Sequence, residues 1–582
     1  MLPLGFASIG ITLLSWFGVD RLGLWGDELQ TPKEVITPEL SAFISHIVEE
    51  NKIPGLTLGI VHSNGTVEQA AWGIKSEEGE AMTVDTLFTL ASCSKAFVTS
   101  TVGILMDDFA NGKNVTALPS GLTKFDWDTK VVDILPDEWQ LMDEWANSKA
   151  NIRDILTHVS GLPRHDYSVH PEDSPLDVVL RMRHLRPAFE LRAHWNYNNL
   201  MYMLASYMVS KYSGMPYTEY IKERVFVPLN MSSTTYNPSE ALASGKATEN
   251  WTAFGRRIPW WFTDDQVQLN AGPGGVISSV PDLVKWVKMW LNNGVNPDTN
   301  TTVVPKSVVD ETTTAHSLVT GKSPSAAPYL SLDSYALGWE RQSYKGHEVV
   351  SHSGGIPGIS TRVAFLPNDD LGVIILANAD AKAKPILDVL YRTIDQALGL
   401  DSSVSVAEVE SKPKQEPVPR VDISSAELEV YAGTYFNAGY GKGNLTLCTQ
   451  ASDSKHCKQV INDFSSFPKE GASSILYASL PTIWSSHARL QYIGNDTFNN
   501  QITYLFPNGY GKDKSPFEAN EEGENEGTVR FVVNRVKDSN GVVTAEEVLG
   551  FGLFDTVGAV TDREKKGGSI EETADVWFEK VQ

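Results

Sequence analysis

The sequence predicts a mixed α/β (α+β) protein in two folded parts: an antiparallel sheet flanked by helices with a helical insertion, then an all-β domain. Three observations predict it. The chain has 582 residues, more than one hydrophobic core ordinarily organises. Between Pro38 and Leu400, helix and hairpin signals come first, and strand signals followed by a helix come last. Ser402–Arg420 then breaks the pattern with Ser411-Lys412-Pro413-Lys414 and Pro417-Val418-Pro419 and no apolar period, which reads as an extended linker.

The elements follow in order. Residues 1–28 open with an apolar run from Leu2 to Val19. It is long enough for the apolar region of a signal peptide and marginal for a membrane span. It lacks a positive leader and a small-residue cleavage site, so signal peptide, hydrophobic anchor and plain apolar segment all stay open. Residues 36–400 are expected to form the first domain. Pro38–Asn51 predicts a helix with Leu40, Phe43, Ile44 and Ile47 on one face. Leu56–Val61 and Val67–Trp72 predict strands flanking an Asn64-Gly65 hairpin turn. Val349–Ser353, Thr361–Leu366 and Gly372–Ala377 predict three successive strands, turned by Gly355-Ile356-Pro357-Gly358 and Pro367-Asn368-Asp369-Asp370. A helix over Pro385–Leu398 closes the domain. Both ends of this region are therefore expected to build one sheet. Residues 401–420 are the linker. Residues 421–582 carry short alternating runs such as Ile475–Leu480 and Val529–Val533, with no long helical pattern, and predict a β-barrel-like domain.

Hydrophobic content of 41% and aromatic content of 10% are those of a globular protein, not a disordered or fibrous one. The formal charge of −24 opposes binding to nucleic acid, which needs clustered cations. It also opposes an acidic membrane surface, so a membrane partner is expected only if the N-terminal segment is retained as an anchor. The acidic run Glu518–Glu526 reads as a solvated loop. N-x-S/T sequons stand at Asn64, Asn114, Asn230, Asn250, Asn300, Asn444 and Asn495. Of three cysteines, Cys448 and Cys457 close a short loop that can pair in an oxidising compartment, and Cys93 stays free. Together these point to a secreted protein, with membrane-anchored and intracellular locations as alternatives.

Three short segments carry chemistry. In Ser92-Cys93-Ser94-Lys95 the serine and lysine share one face at the first turn of an amphipathic helix. A serine hydroxyl needs a base. The helix dipole and burial both favour a neutral lysine able to serve as one. The same spacing at Ser411–Lys414, Ser452–Lys455 and Ser466–Lys469 lacks that context. In Tyr197-Asn198-Asn199 an extended backbone points Tyr197 and Asn199 the same way, and an apolar helix from Leu200 to about Tyr212, ended by Gly214, would fix them. His352-Ser353-Gly354-Gly355 ends a predicted strand, where glycine admits a substrate backbone. The backbone N–H groups of Ser92 and Gly355 are the candidate oxyanion donors. Taken singly, each segment is also compatible with an ordinary surface helix, loop or turn. No cluster of zinc type is present in the sequence, and no cofactor or metal is expected.

S-x-x-K, then Y-x-N, then H-x-G in this order resembles the serine β-lactamase and penicillin-binding-protein superfamily, closest to its class C β-lactamase, D-aminopeptidase and esterase branch. Ile155–Leu162, Ala271-Gly272-Pro273-Gly274-Gly275 and Leu376-Ala377-Asn378 add to the likeness, which covers Pro38 to Leu400. The resemblance implies a β-lactamase/transpeptidase-like fold and an acyl-enzyme on Ser92. It also implies proton transfer shared by Lys95 and Tyr197, with Asn199 orienting Lys95 and the substrate. Tyr431-Ala432-Gly433-Thr434-Tyr435 resembles the start of a lipocalin-like β domain, which would cover the cleft, mediate assembly or act as a passive module. Many relatives carry Lys-Thr-Gly where this chain has His352-Ser353-Gly354. Histidine is mostly neutral near pH 7, so binding of a substrate carboxylate should weaken, and esterase, D-peptidase or amidase activity suits the motif better than β-lactamase activity. If His352 binds as a cation, turnover should rise below about pH 6.5. The expected function is hydrolysis of an ester or amide in a small-molecule or peptide substrate, D-amino-acid peptides included. An acyltransferase and an inactive binding protein are the alternatives. Pro259-Trp260-Trp261-Phe262 is either an acyl-pocket wall or core packing, and His158 and Tyr335 read as structural.

Overall fold

Eight strands pair into one antiparallel sheet: β1 (Gly55–Val61), β2 (Val67–Gly73), β3 (Ser317–Leu318), β4 (Ser334–Tyr335), β5 (Glu340–Tyr344), β6 (His347–Ile356), β7 (Ile359–Leu366) and β8 (Leu371–Ala377). Their spatial order is β2-β1-β8-β7-β6-β5-β4-β3. β1 pairs β8 from Leu56 opposite Ala377 to Val61 opposite Gly372, so the two ends of the region meet as the second and third strands of the sheet. The computed structural model describes residues 34–325, 327–402, 421–441, 443–467, 474–519, 527–556 and 559–581. The N-terminal segment 1–28 and linker residues 403–420 lie outside the described residues.

β1 and β8 are buried along their whole length because helices cover both faces. The helices that matter are α1 (Pro38–Glu50), α2 (Lys95–Ala110), α3 (Leu200–Ser213), α4 (Val280–Leu291) and α5 (Ala383–Leu398). α1 starts where Thr37 accepts the Leu40 N–H and Pro38 supplies the first turn. Its Leu40 and Ile44 join Ile386 and Leu390 of α5 over Leu58, Val373 and Ile375. On the opposite face Val280, Leu283 and Val287 of α4 meet Val363, Ile374 and Leu376. Alternate residues of β8 thus serve two cores, which explains its unbroken apolar run.

α2 is buried all round from Lys95 to Met106, the mark of a core helix. Phe97 stacks on Trp286 of α4 with ring centres 4.0 Å apart. Side chains such as Phe97, Val102 and Leu105 each contribute roughly 1.5–3 kcal/mol by burial. That packing makes the N-terminus of α2 a rigid mount.

The C-terminal part is a nearly closed barrel. Its strands are β9 (Gly433–Phe436), β10 (Leu445–Leu447), β11 (Ile475–Ser479), β12 (His487–Gly494), β13 (Thr497–Phe506), β14 (Phe517–Ala519), β15 (Thr528–Lys537), β16 (Val543–Phe554) and β17 (Val576–Lys580). They run β10-β9-β17-β16-β15-β13-β12-β11, with β14 beside β13. A bridge between Cys448 and Tyr477 links the two ends of that row. Tyr435, Phe498, Phe531, Phe551 and Phe578 fill the interior.

The expected all-β barrel is present, and the structure adds one short helix to it and corrects one other expectation. The helix, α6 (Lys455–Asp463), is capped by Ser454 and tied down by the Cys448–Cys457 disulfide. Only Cys457 and Val460 of it are buried, too few to leave a helical stripe in the sequence. Of the acidic run Glu518–Glu526, residues 520–526 lie outside the described residues, and Glu518 is not in a solvated loop: it lies on β14 and receives both guanidinium nitrogens of buried Arg489, at 2.6 and 2.9 Å. From Glu34 onward the chain is one compact unit.

Candidate active site

Ser92 lies on a 3₁₀ turn, Ala91–Ser94, that runs straight into α2 at Lys95. The serine is therefore just ahead of the α-helix rather than within its first turn. Ala91 takes a left-handed backbone, φ 48°, a conformation that costs a non-glycine residue about 1–2 kcal/mol. Surrounding bonds hold it. Leu90 N–H donates to Val276 O at 2.7 Å, Thr361 Oγ1 donates to Leu90 O at 2.8 Å, and Val276 N–H donates to Ser94 Oγ at 3.1 Å. β6 presses so closely here that a Cβ on Gly354 would sit 2.2 Å from Leu90 O. Glycine at 354 is thus a packing requirement.

Lys95 is fully buried. Its Nζ lies 2.8 Å from Asn199 Oδ1, 3.0 Å from Pro273 O and 3.2 Å from Ser92 Oγ. The first two partners are carbonyl oxygens and only accept, so they take two N–H bonds. A neutral amine then turns its lone pair to the Ser92 hydroxyl. Burial, and next the charge of Arg164, hold the Lys95 amine well below the usual lysine range. Pro273 belongs to the Ala271–Gly275 stretch.

Tyr197 hydrogen-bonds Ser92, and burial pushes its phenol above the ordinary tyrosine range, so it is protonated. The Lys95 Nζ lies 4.7 Å from its ring centre. Asn198 turns the other way: its amide donates to Leu162 O and Pro163 O, and its Oδ1 accepts from Met201 N–H at the head of α3. That inward anchor aims its two neighbours at Ser92. His158 Nδ1 accepts the Asn198 N–H at 3.1 Å, and its ring lies against Tyr197, centres 4.4 Å apart. His158 thus buttresses the motif.

Two groups escaped sequence reasoning. Asp166 Oδ1 accepts from Asn199 Nδ2 at 3.1 Å, which leaves Asn199 Oδ1 for Lys95. Asp166 Oδ2 takes the Arg164 Nε at 2.6 Å, and the guanidinium lies 5.5 Å from the Tyr197 ring centre. The charged triplet after Gly161-Leu162-Pro163 was the sole signal, and it carries no spacing rule.

The third segment divides. His352 is buried, with Nδ1 2.6 Å from Ser353 O and Nε2 2.8 Å from the Tyr335 hydroxyl. Burial, then the neighbouring Lys95, hold it down to about 3. It is therefore a neutral Nδ1–H tautomer that accepts from Tyr335, and the cationic option is removed. Ser353 Oγ points to Glu340, 3.4 Å away. Gly355 is exposed, and a Cβ there would meet nothing within 4 Å.

A pocket over Ser92 is walled by Arg164, Asn199, Met203, Phe262, Ile356 and Trp484, with Gly355 at its edge. Trp484 comes from the barrel and meets Phe262 edge-on at 5.8 Å. The aromatic cluster thus splits: Phe262 faces the pocket, while Trp261 Nε1 donates to Ile483 O of the barrel at 2.9 Å. A larger cavity of about 670 Å³, lined by residues such as Thr218, Tyr236 and Asp264, holds none of the Ser92, Lys95, Tyr197 or Asn199 side chains. Among the described residues no group of His, Cys, Asp and Glu is placed to hold a metal ion.

Fold and site together are those of a serine hydrolase. The model of the beta-lactamase family matches residues 40–397, more than half of the chain, and the chain belongs to that family. Unguisins hydrolase ungD' of Aspergillus campestris is 28% identical over 62% of this chain and 65% of its own length, a little under two thirds. D-aminopeptidase of Brucella anthropi is 24% identical over 64% of this chain and 65% of its own. Among solved structures, the octameric penicillin-binding protein homologue from Pyrococcus abyssi superposes with TM-score 0.52 at 18% identity, covering 83% of this chain and 98% of that one. That coverage exceeds the family-model match, so the likeness in fold extends into the barrel.

Proposed function

We propose that the enzyme cleaves an ester or amide bond through an acyl-enzyme on Ser92. The observation that carries this is the Lys95 amine, buried, 3.2 Å from Ser92 Oγ, with two of its bonds engaged by carbonyl oxygens. Lys95 takes the Ser92 proton as the oxygen attacks the substrate carbonyl carbon. The N–H groups of Ser92 and Gly355 receive the oxyanion. Tyr197 gives its proton to the leaving oxygen or nitrogen and regains one from the Lys95 ammonium. Water then attacks the acyl-enzyme by the reverse proton path.

The walls narrow the substrate. Met203, Phe262, Ile356 and Trp484 favour an apolar acyl side chain. Neutral His352 offers a carboxylate no charge, and Arg164 is engaged by Asp166. A neutral ester or peptide amide fits better than a penicillin-like acid. The relatives named unguisins hydrolase and D-aminopeptidase favour a peptide amide, with D-residues among the candidates. The test is intact mass after incubation with p-nitrophenyl esters and a fluorophosphonate. A single adduct that vanishes in Ser92→Ala is expected; an unlabelled, folded, inactive enzyme overturns the reading.

Passage through an oxidising, glycosylating compartment is part of the same proposal. The Cys448–Cys457 disulfide and the exposed sequons at Asn64, Asn114, Asn230, Asn300, Asn444 and Asn495 support it. Asn250 is buried, 1% exposed, and should stay unmodified. Glycosidase treatment of natively expressed protein tests this: no mobility shift would contradict it.

A further inference from the structure

One barrel side chain reaches the catalytic lysine through three intermediates. Tyr440 follows β9, and its ring packs edge-on against Phe578 inside the barrel, centres 5.6 Å apart. Its hydroxyl lies 2.8 Å from His165 Nδ1, while His165 Nε2 lies 2.9 Å from Arg186 O. A carbonyl only accepts, so Nε2 carries the proton and Nδ1 accepts from Tyr440. His165 has a left-handed backbone, φ 47°, which a non-glycine residue holds only against strain. Its ring is anchored on the barrel, while its two neighbours serve the site. Arg164 lies by the Tyr197 ring, and Asp166 accepts from Asn199 Nδ2.

We propose that Tyr440 is a positioning residue for hydrolysis: by clamping His165 it holds Asp166, and through Asp166 the Asn199 carboxamide that seats the Lys95 amine. The barrel is then a working part of the catalytic centre. The proposal rests on the reading of Ser92 and Lys95 as nucleophile and base. Without the phenol, His165 Nδ1 is left buried with no donor, and the strained turn relaxes. The titratable and charged groups around Lys95 are Arg164, Asp166, Cys93, Tyr197, Tyr202, His158 and His352. Of the two charged ones, Arg164 lowers the lysine more than Asp166 raises it. Loosening the turn therefore moves the acidic limb of the pH–rate profile upward.

The experiment uses the full-length enzyme and a p-nitrophenyl ester. Tyr440→Phe should lower kcat about three- to tenfold, the scale of one lost hydrogen bond, with KM changed less than about twofold. The acidic limb should move to higher pH. His165→Phe, which cuts the link from the other end, should reproduce both effects, and the double variant should be no worse than either single. Arg256→Ala removes a different contact to the barrel, at Ser515 O, and should keep wild-type kcat and limb. Wild-type values in Tyr440→Phe, or additive losses in the double variant, overturn the proposal. If the wild-type enzyme neither turns over esters nor labels at Ser92, the hydrolase reading is what has failed.

Discussion

Replacing Arg164 with glutamine should move the acidic limb of kcat/KM to higher pH. The guanidinium is 5.5 Å from the Tyr197 ring centre and the Lys95 Nζ is 4.7 Å from it, so the two cations are at most about 10 Å apart. At an effective dielectric near 20, unit charges at about 10 Å repel by about 1.7 kcal/mol. The Arg164 side chain is 42% exposed, and solvent screening cuts that to roughly 0.4–0.8 kcal/mol, or about 0.3–0.6 pH unit. Glutamine also releases the Asp166 charge, which favours the ammonium. Both changes raise the lysine, so the total is about half to one unit. In the proposed mechanism Lys95 works as the neutral amine, so a higher value leaves fewer active molecules at low pH while the plateau above the limb holds. The assay is kcat/KM for a p-nitrophenyl ester, wild type against variant, from about pH 5 to 9. A limb that stays put or moves down would refute the electrostatic reasoning.

Other outcomes follow from the same geometry. Trp484→Ala should cut kcat/KM for esters of bulky apolar acids by about tenfold or more, from lost burial, while acetate esters change little; equal effects on both would deny Trp484 a place in the acyl pocket. Gly355→Val should melt like wild type, because a Cβ there meets open space, yet lose about a hundredfold in kcat/KM by obstructing the oxyanion position; full activity would place the substrate elsewhere. In ¹⁵N-histidine spectra His352 should remain the neutral Nδ1–H tautomer at pH 5, since burial holds it down to about 3, and ordinary titration near pH 6.5 would contradict the buried geometry. The sign for stability is fixed too. The unfolded chain binds that proton below its ordinary value while the folded one does not, so stability falls from about pH 6.5 toward 3, losing about 2 kcal/mol by pH 5.

The legible part of this protein is the part whose chemistry sits in residue type and short spacing. Ser92 and Lys95 are one turn apart across the 3₁₀-to-α junction, and Tyr197 and Asn199 flank the inward-turned Asn198, so short spacing already aims them. β1 and β8 were legible as strands because both their faces are buried. The meeting of distant segments was not legible. Asp166 reaches Asn199 across a turn in which His165 is left-handed, and Trp484 reaches Phe262 from the C-terminal barrel. The charge state of His352 was open for a similar reason: composition gives the residue, and only burial beside Tyr335 decides the proton. Glu518 reads as solvated in an acidic run until Arg489 is found beneath it.

The base is the point on which the chemistry turns, and it can be titrated directly. Nζ chemical shifts of ¹⁵N-lysine enzyme, assigned through Lys95→Arg, should show one amine losing its proton well below the ordinary lysine range. The same apparent value should govern the acidic limb of kcat/KM. A Lys95 that stays cationic up to the ordinary range, in an enzyme still active at neutral pH, would contradict the assignment of Lys95 as the base.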